Sequence, residues 1–336
     1  MRHFPTGFLT LVAMLLPGAP ALALDLSLPL ACTLGSDCFV QNYVDLDPGD
    51  GVITADCGRA SYDGHKGTDV RVLNTSVIAD VLAAAPGEIK ALRNDIPDRL
   101  VRSGADRDAV RDKECGNGVV IAHGEGWETQ YCHMRQGTVS VSVGETVQRG
   151  QVIGRVGYSG FAAFPHVHLT VRKDGETVDP FLGSAESTRD RLAACSRDVD
   201  LAAGKGLWLQ ERERLLRDAA GAFVELGFAG KPVGTQELET DQVPGPRKGA
   251  PALVFFARLI NLQQGDRISL KLTGPDGVLA ESDGQPLDRN KAQWVAFAGR
   301  KTPQGGWPLG AYAGEAVLWR AGKELMRKTA RIDLAD

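Results

Sequence analysis

His65 and Asp69 stand four residues apart in a glycine-framed stretch, Asp63-Gly64-His65-Lys66-Gly67-Thr68-Asp69. An imidazole nitrogen and a carboxylate oxygen are both good zinc ligands. Further along, His166 and His168 alternate with Val167, Leu169 and Val171. A strand has a side-chain period of two, so both histidines share one face and the apolar residues take the other. Read alone, the pair is either part of a metal site or two surface histidines on a half-exposed strand. One ligand from this strand, added to His65 and Asp69, makes three protein ligands with a position left for water. That is the pattern of a catalytic zinc site rather than a structural one. Zinc lowers the pKa of its water to about 7. His133 and the other histidine of the pair then stand near that water, as general base and as donors to a tetrahedral oxyanion. His3 lies in the N-terminal segment, and His123 ends a strand one residue before a turn and reads as structural or solvated.

These residues need elements to hold them. Gly64 and Gly67 allow a tight turn at His65, and Val70 and Val72 begin a strand. Residues 116–123 and Trp127–Met134 read as a hairpin around Gly124-Glu125-Gly126. Alternation puts Thr129, Tyr131 and His133 on one face. Short strands broken by glycine follow over 141–154, and Gly157-Tyr158-Ser159-Gly160 is a loop leading to the two-histidine strand. Residues 93–114 are dense in charge and weakly periodic, an insertion with one short helix that is either a groove wall or a solvated loop. The acidic stretch 45–51 lacks the ligand spacing of a calcium loop and reads as a solvated turn.

The chain has 336 residues, enough for two domains. A net charge of −4 gives no sign of a nucleic-acid partner, and none is expected. Forty glycines with few aromatics lean toward a turn-rich, mainly β protein. Arg2 and His3, the apolar run 8–16 and Ala21-Leu22-Ala23 read as a cleaved export signal over 1–23. The run is too short for a bilayer span, and no second long apolar run follows, so no membrane span is expected in the mature form. Export makes six cysteines a disulfide set. Cys32 with Cys38 is the favoured pair, and Cys57 with Cys115 and Cys132 with Cys195 complete one of fifteen possible pairings.

The organisation read from these signals is a lead-in over 24–50, a first domain over 51–195, a linker with a helix over 196–245 and a second domain over 246–336. The helix is placed at 212–225, with Leu215, Leu216, Ala219, Phe223 and Val224 on one face. Short strands at 253–259, 268–272, 294–298, 316–320 and 328–332 fit an immunoglobulin-like β-sandwich.

Three motifs stand in a fixed order: His65-Lys66-Gly67-Thr68-Asp69, Tyr131-Cys132-His133 and His166-Val167-His168. With Gly116-Asn117-Gly118 through Gly124, and Val143-Gly144-Glu145 through Gly154, the chain over about 50–183 resembles the M23 family of zinc metallopeptidases, the lysostaphin-like peptidoglycan endopeptidases. The resemblance implies a lysostaphin-like antiparallel β-sheet peptidase domain. It implies one zinc ion on His65, Asp69 and His168, with His133 and His166 as the catalytic histidines and Tyr62 as an aid to the oxyanion. The long 93–114 insertion, Phe164 where a small residue is common, and the cysteine set depart from the family pattern.

The function implied is a zinc-dependent endopeptidase, exported to the periplasm or beyond, that hydrolyses the peptide cross-links of peptidoglycan. Two other readings share the fold: a non-catalytic regulator of cell-wall amidases, and an exported protease acting on glycine-rich proteins. Regulators of this kind lose zinc ligands, and this chain keeps them. The second domain is expected to bind the wall or a protein partner, or to serve as a stabilising appendage.

Overall fold

The computed structural model describes residues 24–195, 206–210 and 212–334. The export signal placed at 1–23 lies outside them. The chain is mainly β, as expected from its composition. Its first unit is a sheet of antiparallel pairs built from β1 (Cys38–Asn42), β2 (Thr68–Val72), β4 (Gly87–Arg93), β5 (Asn117–Ala122), β6 (Trp127–Met134), β7 (Thr146–Val147), β9 (His166–Lys173) and β10 (Glu176–Thr177). Their order is β1-β2-β9-β6-β5-β4-β7, with β10 beside β9. β3 (Asp80–Leu82) and β8 (Val152–Arg155) pair separately. The short helix α1 (Gly104–Ala109) lies in the 93–114 insertion, capped by Ser103.

The period-two pattern decides which face is which. Val70, Val72, Val167, Leu169, Val171, Tyr131, Val119 and Ile121 form one buried cluster. Asp69, Arg71, His166 and His168 therefore project from the opposite face. Neither histidine of the β9 pair is a solvated surface residue: His166 is buried and His168 partly so.

Three regions differ from the sequence reading. The lead-in contains β1, which pairs with β2 and closes the sheet edge. The polar stretch 184–206, which its composition reads as a linker, opens with a helix, α2 (Ala185–Cys195), tied to the 57 loop by a disulfide. The helix expected over 212–225 stops early: α3 (Arg212–Leu216) and a 3₁₀ turn, Arg217–Ala220, end at Gly221, whose φ of 106° suits only glycine. Beyond it β11 (Ala222–Ala229) pairs with β12 (Ala252–Leu262). Phe223 and Val224, read as one helix face, point to opposite sides of this strand, into separate clusters. Tertiary pairing overrides a short apolar periodicity here.

The second unit is a two-sheet sandwich. One sheet has the order β11-β12-β15 and the other β14-β13-β16-β17, with β13 (Arg267–Gly274), β14 (Gly277–Asp283), β15 (Lys291–Lys301), β16 (Gly310–Arg320) and β17 (Lys323–Leu334). Strands one, two and five facing four, three, six and seven is an immunoglobulin-like arrangement. Leu253, Phe255, Ala257 and Leu259 meet Leu270, Leu272, Ala316 and Leu318 between the sheets. β12 is buried almost throughout because its other face is covered too. There Ile260 joins Phe39 of β1, and Phe256 packs on Leu238 of α4 (Thr235–Glu239).

Charged groups are buried at this junction. Arg71 Nη2 of β2 reaches both carboxylate oxygens of Glu239 of α4, at 2.8 and 3.0 Å, and Nη1 donates to Gln41 and Gln293. Arg258 of β12 pairs with Glu225 at 2.8 Å and lies 3.3 Å from Glu239. Burial lowers the Arg258 pKa to about 10, even beside two carboxylates.

The disulfides are Cys32–Cys38, as favoured, together with Cys57–Cys195 and Cys115–Cys132. The last two correct the expected Cys57–Cys115 and Cys132–Cys195. The β5–β6 hairpin brings Cys115 and Cys132 together, with their Cα atoms 4.8 Å apart. Cys132 is thereby taken, and the helix-borne Cys195 pairs with Cys57.

Asp218, in the 3₁₀ turn, accepts a hydrogen bond from the Val40 amide at 2.9 Å. Burial raises its pKa from 3.8 to about 6. A raised carboxyl pKa means that the folded state holds the proton more tightly than the unfolded one. Stability is then lost as pH rises from about 4 through about 6, and the cost is complete above that. Asp218→Asn keeps an acceptor for Val40 and removes the charge. It should stabilise the protein by roughly 2 kcal/mol at pH 7.5 and by little at pH 4. Urea unfolding of both proteins at the two pH values checks this, and an equal difference at both would refute it.

Candidate metal centre and active site

His65 sits where a loop turns into β2. Its Nδ1 faces the Tyr43 carbonyl oxygen at 2.7 Å, and a carbonyl can only accept, so Nδ1 carries the proton and the Nε2 lone pair is free. Asp45 shapes the same loop, accepting from the amides of Asp47, Ile53 and Gly64. The acidic stretch is thus a turn organiser, as its spacing indicated.

Asp69 lies opposite His168 in the β2–β9 register. Asp69 Oδ1 is 3.2 Å from His65 Nε2 and 2.8 Å from His168 Nδ1, and the two nitrogens are 3.1 Å apart. Three ligand atoms on one tetrahedral zinc, at bonds of about 2.0–2.1 Å, would be spaced by roughly 3.3 Å. The donor set therefore fits such an ion. Each ligand also has an outer partner. Tyr43 O holds His65, Asn42 Nδ2 donates to Asp69 Oδ2 at 2.7 Å, and Thr170 Oγ1 lies 3.0 Å from His168 Nε2. Such partners orient metal ligands. Gly67 is required for the fit: a Cβ there would lie 2.5 Å from the His168 ring.

His133 and His166 flank this triad, with their ring centroids 4.5 Å apart. His133 Nδ1 donates to the Ser159 carbonyl and His166 Nδ1 to the Phe164 carbonyl, both at 2.8 Å. Both Nε2 atoms are left with free lone pairs. His166 Nε2 lies 3.6 Å from Asp69 Oδ1.

Simple alternation misplaces His133. Thr129 and Tyr131 face the core side, where their hydroxyls meet at 3.2 Å. Two residues on, His133 has a φ of 63°, and the β5–β6 register shifts between Asn117 and Val119. The irregularity turns His133 away from the Tyr131 side toward His166 and His168. Its amide donates to Cys115 O, next to the Cys115–Cys132 bridge.

Charge follows from burial. Burial favours the neutral form of Asp69, but His65 and His166 nearby and hydrogen bonds from His168 and His65 hold its pKa well below the ordinary carboxylate value. Burial also opposes protonation of His65, yet the adjoining Asp69 carboxylate outweighs it and raises the pKa. Burial puts His133 well below the ordinary imidazole value, reinforced by His166 and His168. It lowers His166 as well, against the pull of Asp69. His133 and His166 are therefore neutral at pH 7 and able to accept a proton.

All five site residues read from the sequence meet at one place. Tyr62 stands at the rim, 50% exposed, with its ring 4.5 Å from that of His65. His123 is elsewhere, held between Pro86 O and Thr129 Oγ1. Asn42, Tyr43 and Ser159 were not read as site residues. Thr170 shares the histidine face by alternation and could have been. The other three act through contacts between distant segments, for which the sequence has no local signal.

Residues 63–180 match the family model of peptidase family M23. A Haemophilus influenzae protein named as an uncharacterized metalloprotease is 26% identical over 153 residues, 46% of this chain and 27% of its own. The peptidoglycan DD-endopeptidase ShyA of Vibrio cholerae is 39% identical over 64 residues, 19% of this chain and 14% of its own. The catalytic domain of lysostaphin from Staphylococcus simulans is 21% identical with a TM-score of 0.27, covering 41% of this chain and 85% of that one. This chain spans 27% and 14% of the two curated relatives' lengths. His65, Asp69, His133, His166 and His168 all fall within the segment that matches the model of peptidase family M23.

Proposed function

We propose that this protein is a zinc-dependent endopeptidase acting on the peptide cross-links of bacterial peptidoglycan. The observation that carries the proposal is the convergence of His65 Nε2, Asp69 Oδ1 and His168 Nδ1 within 3.2 Å of one another, with two neutral imidazoles beside them. Relatives named as peptidoglycan endopeptidases support the substrate class. When bound, zinc supplies Lewis acidity, which activates water near neutral pH and polarises a peptide carbonyl.

The chain's own residues divide the remaining work. His65, Asp69 and His168 hold the ion. Hydrolysis adds a hydroxyl to the carbonyl carbon and a proton to the departing nitrogen as the C–N bond breaks. Both catalytic rings present bare Nε2 atoms, so the first proton moves onto one of them. His166 is the better holder of that proton, because Asp69 stabilises its cation. The protonated ring then serves as donor to the developing negative charge and to the leaving amine.

Three disulfides fit an oxidising compartment, which supports export to the periplasm. Among the described residues no helix is long and apolar enough to cross a membrane.

Metal analysis combined with digestion of cross-linked peptidoglycan tests the reading. Wild type should hold about one zinc and convert dimeric muropeptides to monomers. His168→Ala should lose both properties. His133→Ala should keep zinc and lose roughly 10²–10⁴-fold in rate. Zinc-loaded wild type that leaves every cross-link intact would refute the proposal. Asn42→Ala should weaken zinc binding by about 10–100-fold in a chelator competition. Unchanged affinity would remove Asn42 from the support of Asp69.

A further inference from the structure

The sandwich reaches the catalytic histidines through one continuous set of contacts. It begins with Glu239 of α4 and Gln293 of β15, which both bind the Arg71 guanidinium. Gln293 also donates to Glu239 at 3.0 Å, fixing the carboxylate. Arg71 is fully buried and lies directly opposite His166 in the β2–β9 register. Its guanidinium carbon is 4.9 Å from the centroid of the Phe164 ring. Phe164 in turn lies 4.5 Å from the His166 ring, tilted by 34°, and its carbonyl accepts the His166 Nδ1 proton. His166 is thus held between Phe164 on one side and His133 on the other.

We infer that the sandwich domain is part of the active site's support, with Glu239, Arg71 and Phe164 as positioning residues for His166. The inference rests on the catalytic role proposed for His166.

The physical case is one of preorganisation. A ring that must receive a proton at Nε2 needs a fixed plane and a fixed tautomer. The Phe164 carbonyl sets the tautomer, and the Phe164 ring sets the plane. A phenyl ring has no directional bond of its own, so its place depends on what backs it. The backing is a planar cation, and planar cations stack well on aromatic faces. That cation is in turn held at two nitrogens, Nη2 by both Glu239 oxygens and Nη1 by Gln41 and Gln293, which fixes its orientation as a single bond would not. Leu73 O ties in the second buried arginine, Arg258, from the sandwich at 2.5 Å. Arg71 beneath Phe164 gives that large ring its backing.

The test uses the full chain with Phe164→Ala and Glu239→Asp. The second substitution keeps the buried charge and shortens its reach by one methylene. Gln293→Ala, a half-buried side chain with one bond to Arg71, is the sandwich-side variant if Glu239→Asp does not fold. Three quantities are read: zinc content, kcat and KM on cross-linked muropeptides, and the His166 ring signals in the NMR spectrum of metal-free protein. Zinc content should be unchanged. The His166 signals should shift in both variants, and kcat should fall about 10–10²-fold with KM nearly constant.

If Phe164→Ala moves His166 and the sandwich-side variant does not, the domain is outside the chain of support and the inference is overturned. Loss of zinc in parallel with activity would also overturn it, since that is a general loss of structure. If wild type cleaves no peptidoglycan, the functional reading fails, and the NMR signals of metal-free protein still decide whether the sandwich positions His166.

Discussion

Asp69 is a carboxylate with 2% of its surface exposed, and a buried charge is tolerated only when it is paired and hydrogen-bonded. Much of the first domain serves that condition. β1 closes the sheet edge and brings Asn42 to Oδ2, the loop after β1 brings His65, and β9 brings His168 to Oδ1. His65 and His168, which satisfy the carboxylate, form with it a donor set that fits a metal ion. The site is a solution to a burial problem, and the ligand geometry follows from it.

A second set of buried charges stands on the same face of the same strand. Arg71, two residues beyond Asp69, points the same way by strand alternation. It finds its counter-charge in Glu239, in the other domain. Removing one partner of such a pair leaves an uncompensated buried charge, which costs several kcal/mol. The two domains are therefore joined by more than apolar area. β12 shows the consequence: it is apolar on the sandwich side and mixed on the other, where Arg258 donates to the Leu73 carbonyl of the first unit. The sandwich stands against the part of the sheet that carries Asp69 and the two β9 histidines, rather than at its far end.

The disulfides act at the ends of the loops that matter. Cys57–Cys195 anchors the loop before His65, and Cys115–Cys132 braces the hairpin at the residue before His133. Each ties a loop residue, Cys57 or Cys115, to a regular element, α2 or β6, and so lowers the entropy of the unfolded chain. The 93–114 insertion is docked as well. Asp98 accepts from the amides of Gln136 and Tyr158, so the insertion braces the loop whose Ser159 carbonyl orients His133.

The sequence by itself determined the mainly β class, the five side chains that gather at the candidate site and the Cys32–Cys38 bridge. Those features rest on local periodicity, on short spacings and on motifs in order, which survive without knowledge of the fold. Tertiary structure decided the rest. The strand at Ala222–Ala229 exists because β12 pairs with it, against a local pattern that reads as helix. The pairing of the other four cysteines depends on which segments the hairpin and α2 bring together. His133 reaches the site through a left-handed backbone and a register shift, where strict alternation would have faced it with Tyr131. Asn42, Tyr43 and Glu239 act across long sequence separations, and burial of charge, the force that selects them, has no meaning until the chain has folded.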